Sequence, residues 1–506
     1  MASDAGTAAP TATAPDRALR IAIDGEPAHL NPDLDPDRWG WRIAWDGIYE
    51  PLVRPDGSGG FAPALADRFT VEDEGRVYIF HLRPGVLFSD GEPLTPADVA
   101  FTFDRLRSPR THAPRWQAEL ADVERVELLQ TGVRIWARRP SAYLLAAIAD
   151  VAILPEHVFG RGELMYQPAN RHPVGTGPFR VHTWERGRGI ALERNPRWWG
   201  PRVNVNSIDI AIDEDATRAL GQAHRGELDV VGRVPPSYVP EQIDSPTIRA
   251  TYDAVRTTPD RFTYVVWNIA HAPLDRVEAR RALALAIDRD KLIATVRHRL
   301  ARTIAAPPVG GPSVSAPPPA FDLVRASALL DGVGADRKDN GARNLPPAGS
   351  AHPWRLTLLV AQGRESEAVA HALVDALAKL GVGVDLAIGD LATITLRLKK
   401  GAFDGALLEW SGRDDDDLSA LFRSGGAQNF GGYGDHAVDN LLDELHRPSP
   451  SADARHARFA ALQQALADDP PALFLYAPDE VHLLAKRLGA VHAAGDFPSL
   501  RELTAP

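Results

Sequence analysis

Residues 48–106 constrain this chain more than any other segment. They contain a polar, glycine-rich turn (Asp56, Gly57, Ser58, Gly59, Gly60) and then a strongly apolar run over 77–82 that reads as a strand. A second turn follows at Ser89, Asp90 and Gly91, and after it a helix start. Thr95 is a good N-cap, Pro96 stands at the first helical position where a missing N–H costs nothing, and Asp98 closes a capping box. Val99, Phe103 and Leu106 fall at i, i+4 and i+7, so the helix has one apolar face to bury.

Further along come Val174-Gly175-Thr176-Gly177-Pro178-Phe179 and Arg194-Asn195-Pro196-Arg197-Trp198-Trp199-Gly200. Residues 280–293, RRALALAIDRDKLI, read as a helix pair, and Asn429-Phe430-Gly431-Gly432-Tyr433 comes late in the chain. In this order the motifs closely resemble those of the peptide/nickel class (family 5, cluster C) of extracytoplasmic solute-binding proteins, the receptors of ABC importers. The resemblance implies a two-lobed α/β periplasmic-binding-protein fold with an extra subdomain inserted in the first lobe. It implies a protein that binds and delivers rather than catalyses, that works as a monomer with the transmembrane subunits of an ABC permease, and that lies in the periplasm.

Composition is compatible with this. The 506 residues are enough for more than one core, and 44% are hydrophobic. The net charge of −11 argues against nucleic acid as a partner and against a polybasic membrane tether. With no cysteine, the chain has neither a disulfide framework nor a cysteine metal site nor a lipid-anchor cysteine. The first 16 residues are small, polar and proline-containing, and lack the basic and apolar regions of a signal peptide. They fit a mature periplasmic form with a start Met added; a cytoplasmic protein is the other reading.

The resemblance divides the chain into a disordered lead-in over 1–18, lobe I over 19–45, the inserted subdomain over 46–168, lobe I again over 169–261, lobe II over 262–475 and a C-terminal return to lobe I over 476–506. From the residues themselves, 19–24 alternate as a strand should, 262–268 are rich in aromatic and β-branched residues, and 354–360 followed by 366–380 read as strand then helix. Strands alternating with helices argue for α/β lobes. The proline-rich 301–320 and the Gly/Asp/Asn/Pro-rich 330–353 read as loops.

A receptor of two lobes takes its ligand between them, so its binding residues come from both. The first candidate is residues 410–418, with Trp410, Ser411, Gly412, Arg413 and Asp415. Relatives often read WGGDPDPD here, and in peptide binders the Asp three places after the Trp holds the ligand's ammonium. Arg413 stands at that place, which inverts the charge and suits a carboxylate or phosphate instead. The alternatives are that Arg413 faces solvent or its acidic neighbours, or that Asp415 takes the ammonium in a shifted register. The acidic run 414–417 also suits a helix N-terminus.

The second candidate is residues 38–46, where Trp41 and Trp45 offer apolar or cation–π surfaces and Arg42 a positive charge. Arg42 and Trp45, three apart, are expected to share a helical face. Packing between lobe and subdomain is the competing reading. The third is Arg115 and Trp116, at about the place where metal-chelate binders of the class contact their ligand. Were Arg42, Arg115 and Arg413 to converge, the site would be cationic and the ligand a modified peptide, an anionic compound or a metal chelate. No G-x-S-x-G elbow, phosphate loop, dinucleotide fingerprint or H-E-x-x-H motif occurs, so neither a hydrolase nor a cofactor is expected. A DNA-binding regulator has no room before Leu19.

Overall fold

A computed structural model of the chain describes residues 18–504 except 35–36, 46, 57–59, 112, 309–316, 348–349, 412–416, 448, 450 and 490–496. Two mixed sheets organise it. The first has seven strands in the order Tyr252–Thr257, Glu480–Ala485, Val230–Val234, Leu19–Ile23, Ser207–Ile212, Gly189–Arg194, Phe179–Glu185. Leu19–Ile23 is parallel to both its neighbours and the remaining pairings are antiparallel. The second has six, in the order Ala301–Thr303, Ala472–Pro478, Arg261–Trp267, Gly405–Ser411, Arg355–Ala361, Gly383–Gly389.

Every residue of Arg261–Trp267 is buried, because both faces of its sheet are covered. Val265 and Trp267 pack into one apolar cluster with Leu356, Leu358 and Val360, while Phe262, Tyr264 and Val266 enter another with Ala406 and Phe474. The helix Arg364–Lys379 covers the first of these clusters through Val369, Leu373 and Leu377. Ala301–Thr303 forms a short edge strand where a loop was expected; it ends before the first proline of the segment, so no ladder donor is lost.

The chain crosses between the sheets at two neighbouring places. Residues 258–260 lead from Tyr252–Thr257 into Arg261–Trp267, and Asp479 alone separates Ala472–Pro478 from Glu480–Ala485. Asp479 braces the crossings, accepting from Arg256 Nε at 2.9 Å and from the Thr258 hydroxyl at 2.8 Å.

Residues 61–137 add a four-stranded antiparallel sheet in the order Ala66–Glu72, Val77–Leu82, Gly132–Ala137, Val123–Leu129, with the helix Pro96–Arg107 packed on it. Asp98 accepts from the Thr95 N–H at 2.8 Å and, with its other oxygen, from the Glu156 N–H at 2.9 Å. Val99, Phe103 and Leu106 are fully buried, and their cluster is continuous with Leu19, Ile21 and Ile208 of the seven-stranded sheet. This sheet is therefore fused to the first by a shared core, not tethered to it.

The sequence motifs turn out to be braces. Gly177 donates to the Ile48 carbonyl at 2.8 Å, and a Cβ at Gly175 would fall on that same oxygen. Glu50, wholly buried, accepts from Trp199 Nε1 at 2.7 Å and Trp198 Nε1 at 3.4 Å and pairs with Arg501. Among the described residues no carboxylate pairs with Arg289: it donates to the carbonyls of Phe474 (2.9 Å) and Ala284 (3.1 Å), and burial pulls its pKa down to about 10. Asn429 closes its own turn, donating to the Arg423 and Tyr433 carbonyls and accepting from the Tyr433 N–H.

Candidate functional site

The site is built where the two sheets meet. Asp37 caps the helix Arg38–Ala44, its Oδ1 accepting from Gly40 N at 2.9 Å while Oδ2 accepts from Ala28 N at 2.7 Å. That helix carries Arg38 and Arg42 on one face, four residues apart. Both point at Glu480, the first residue of the returning strand, at 3.5 and 3.8 Å. Arg233, on Val230–Val234, stands 3.7 Å from the same carboxylate. Arg261, the first residue of the second sheet's central strand, donates to it at 3.0 Å.

Four guanidinium groups thus surround one carboxylate that is 1% exposed. Burial alone would raise the pKa of Glu480; Arg38, Arg261, Arg233 and Arg42 outweigh it and hold the group far below the usual carboxylate range. Arg38 shows the converse. Burial, together with the charges of Arg233 and Arg261, lowers its pKa despite the attraction of Glu480.

Aromatic surfaces lie close by. Arg42 sits 5.2 Å over the Trp39 ring and 5.1 Å over Phe497, so its charge is held between two π faces. Trp410 stacks on Phe262 at 5.1 Å on the face of the sheet opposite to Arg261, and Ser411 lies opposite Arg261 in the ladder. Trp410 is half-buried and Ser411 exposed. Gly412, Arg413 and Asp415 lie outside the described residues.

Arg42 and Trp45 do not share a helical face. The helix ends at Ala44 and Trp45 is extended (φ −72°, ψ 131°), so Trp45 stacks on Trp41 at 5.0 Å instead. Arg115 and Trp116 are far from open: Trp116 is 1% exposed in the core of the inserted segment. Arg115 lies 4.5 Å over the Trp116 ring and is gripped by Glu119 (2.5 Å) and Asp150 (2.6 Å). Burial opposes the charge of Arg115, yet these two acids raise its pKa. The structure brings Arg42 together with Arg38, Arg233 and Arg261, and not with Arg115.

Sequence reasoning took in Arg38 only as part of the segment 38–46, without singling it out, and missed Arg233, Arg261 and Glu480. A signal was present: Asp479 and Glu480 are two adjacent acids inside the mostly apolar run 472–485, where a buried carboxylate requires partners. Among the described residues no group of His, Asp and Glu could hold a metal ion, and no helix is long and apolar enough to cross a membrane.

Two α/β lobes joined by paired crossings, with charged groups of both lobes meeting at the junction, are the fold of the two-lobed binding proteins. The comparisons give the family. Residues 60–432 match the bacterial extracellular solute-binding proteins, family 5 Middle. Protein XP55 of Streptomyces lividans is 30% identical over 92% of this chain and 84% of its own length. The probable deoxycholate-binding periplasmic protein YgiS of Escherichia coli K12 is 25% identical over 97% of this chain and 94% of its own. NikA from Brucella suis, in complex with Fe(III)-EDTA, superposes with a TM-score of 0.82 at 23% identity, over 97% of this chain and 100% of that one. The chain belongs to family 5 of the bacterial extracellular solute-binding proteins, the ligand-binding receptors of ABC importers.

Proposed function

We propose that this chain captures a peptide-like, modified-peptide or anionic solute between its lobes and hands it to an ABC permease from outside the cytoplasmic membrane, acting as a monomer and without catalysis. The observation that carries this reading is the junction itself. Arg261 from the second sheet faces Arg38, Arg42 and Glu480 from the first, so a solute held there touches both lobes. A solute that touches both lobes stabilises the closed arrangement in proportion to its differential affinity for it. Trp410 and Ser411, with Trp41 and Trp45 as lateral surfaces, are the residues we assign to the solute's organic part; Arg413 and Asp415 keep their place as expected charged contacts.

Uptake of a metal as an anionic chelate is the second reading. It is supported by the likeness to a protein solved with Fe(III)-EDTA and by a junction that offers arginines, not metal ligands. Native mass spectrometry of the purified protein, followed by denaturing release, tests both. A released organic anion or peptide supports the first reading and a released metal complex the second. A protein that captures nothing from extracts of its source, and that no solute in a broad thermal-shift screen stabilises, would overturn both.

A further inference from the structure

The two lobes also touch away from their paired crossings. Ala142 and Tyr143 stand just before the helix Leu144–Asp150, whose Leu144, Ala147 and Ile148 lie in the core shared with the seven-stranded sheet. Tyr143 does not join that core. At 9% exposure it belongs to the apolar cluster of the second lobe, which also holds Val438, Leu442 and Leu445 of the helix His436–His446 and Phe459 of the helix Ala452–Asp468. One side chain thus leaves its own lobe's core for that of the facing lobe.

Three contacts hold it there. The Ala142 N–H donates to the His446 carbonyl at 2.8 Å, an acceptor in the last turn of its helix that intrahelical bonding leaves open. The imidazole of His446 meets the Tyr143 ring edge to face, 4.9 Å between centroids and 78° between planes. Arg455 lies 5.0 Å over the same ring and 5.1 Å over Phe459, so its charge is shared by two π faces.

Both sides are fixed where they meet. The Ser141 hydroxyl accepts from the Tyr143 N–H at 3.2 Å and sets the backbone that presents the ring. Across the boundary, His446 Nε2 lies 3.1 Å from the Ser419 hydroxyl and 3.2 Å from Asp417 Oδ2, and Arg458 donates to the Glu444 carbonyl at 2.7 Å, tying the two helices together. Partners held in place lose little freedom on meeting, so small contacts between them add up.

We infer that Tyr143 is a clasp between the lobes: rotation about the crossings has to draw its ring from His446 and Arg455 and break the bond from Ala142 to His446. Every group of the clasp belongs to the chain, so the closed arrangement is populated before a solute arrives. The apparent affinity of a two-state receptor scales with the fraction already in the binding-competent arrangement. Tyr143 is then a positioning residue, which sets how far the receptor is closed at rest without touching the solute. The inference rests on the two-lobed fold and goes beyond the choice of solute.

The experiment is single-molecule energy transfer between dyes attached through Val71→Cys, on the strand Ala66–Glu72, and Leu391→Cys, at the start of the helix Leu391–Lys399. Both positions are exposed, and the chain has no cysteine of its own. Co-purified solute is removed by unfolding in urea and refolding, and circular dichroism confirms the fold of each protein. The labelled parent should show a closed population. Tyr143→Ala should lower the ratio of closed to open molecules about tenfold and His446→Ala about fivefold, while Tyr143→Phe, which keeps the ring, should stay within about twofold of the parent. His446→Ala removes a part-exposed ring at a helix end and remains readable if Tyr143→Ala does not fold. An unchanged ratio in the alanine variants, or a parent with an open population alone, overturns the clasp. The receptor reading is tested separately, by solute capture.

Discussion

Trp199 donates its indole N–H to Glu50 at 2.7 Å across 149 residues of sequence, and that bond joins two of the motifs by which the chain is recognised. Glu50 has no exposure to water, and Arg501 reaches it from the C-terminal end of the chain. A buried carboxylate fixed by two cations, Arg501 and Arg54, and two indoles acts as a node for three distant segments. Replacing Glu50 with Ala takes this carboxylate from Arg501 and Arg54 and the acceptor from both indole N–H groups. We expect a loss of about 3–5 kcal/mol in urea unfolding, against about 1.5–3 kcal/mol for Trp199→Phe, which removes one hydrogen bond to a charged group. Equal losses from the two variants would show that the indole, not the carboxylate, is the centre of the node.

Gly175 and Gly177 occupy places where no side chain fits. A Cβ at Gly177 would lie 2.7 Å from the Gly47 carbonyl oxygen, and one at Gly175 would strike the carbonyl of Ile48. Both contacts are with backbone, which cannot swing aside. Gly175→Ala should therefore lower stability by more than about 3 kcal/mol or prevent folding, while Gly25→Ala, with nothing within 4 Å, should change it by no more than about 0.5 kcal/mol. Thermal unfolding of the pair measures the difference.

The stability of the chain should depend on pH through Glu480. Its folded pKa is depressed by the surrounding arginines, so its contribution is complete above the unfolded carboxylate value, about 4.3, and is lost as the pH falls toward the folded one. Below about pH 5 the unfolded chain takes up a proton that the folded Glu480 refuses. Wild type should lose stability there more steeply than Glu480→Gln, whose unfolding free energy lacks this component. Parallel pH profiles for the two proteins would show that the carboxylate is not held ionised.

Arg115 should matter for stability and not for solute. Its guanidinium is spent on Glu119, Asp150 and the Trp116 ring, with the side chain 19% exposed. Arg115→Ala should cost about 3 kcal/mol, because it leaves two part-buried carboxylates without their cation. Solute affinity, measured by titration on the folded variant, should be unchanged. A loss of affinity without a loss of stability would return Arg115 to the binding surface.

Local structure was legible because it is written in short-range chemistry. The capping box at Thr95 and Asp98, the buried face of Val99, Phe103 and Leu106, and the strand and helix near 355–361 and 364–379 all follow from spacing and capping. The order of the motifs was enough to place the chain in its family. The site was legible only in part. Arg42 could be picked out by its tryptophan neighbours, but the helix that carries it ends one residue before Trp45, and no periodicity fixes a helix end to one residue.

What the sequence alone determined is therefore the set of elements, the family and the presence of arginine and tryptophan in the right neighbourhood. Only the tertiary structure decided which arginines meet. Arg42 and Arg115 are alike on paper, yet folding gives one two adjacent acids and leaves the other sharing Glu480, more than four hundred residues away, with three further arginines. The difference arises because charge is compensated through space: a residue's local sequence sets its backbone, while its partners and its burial are set by whichever distant strand the fold lays beside it.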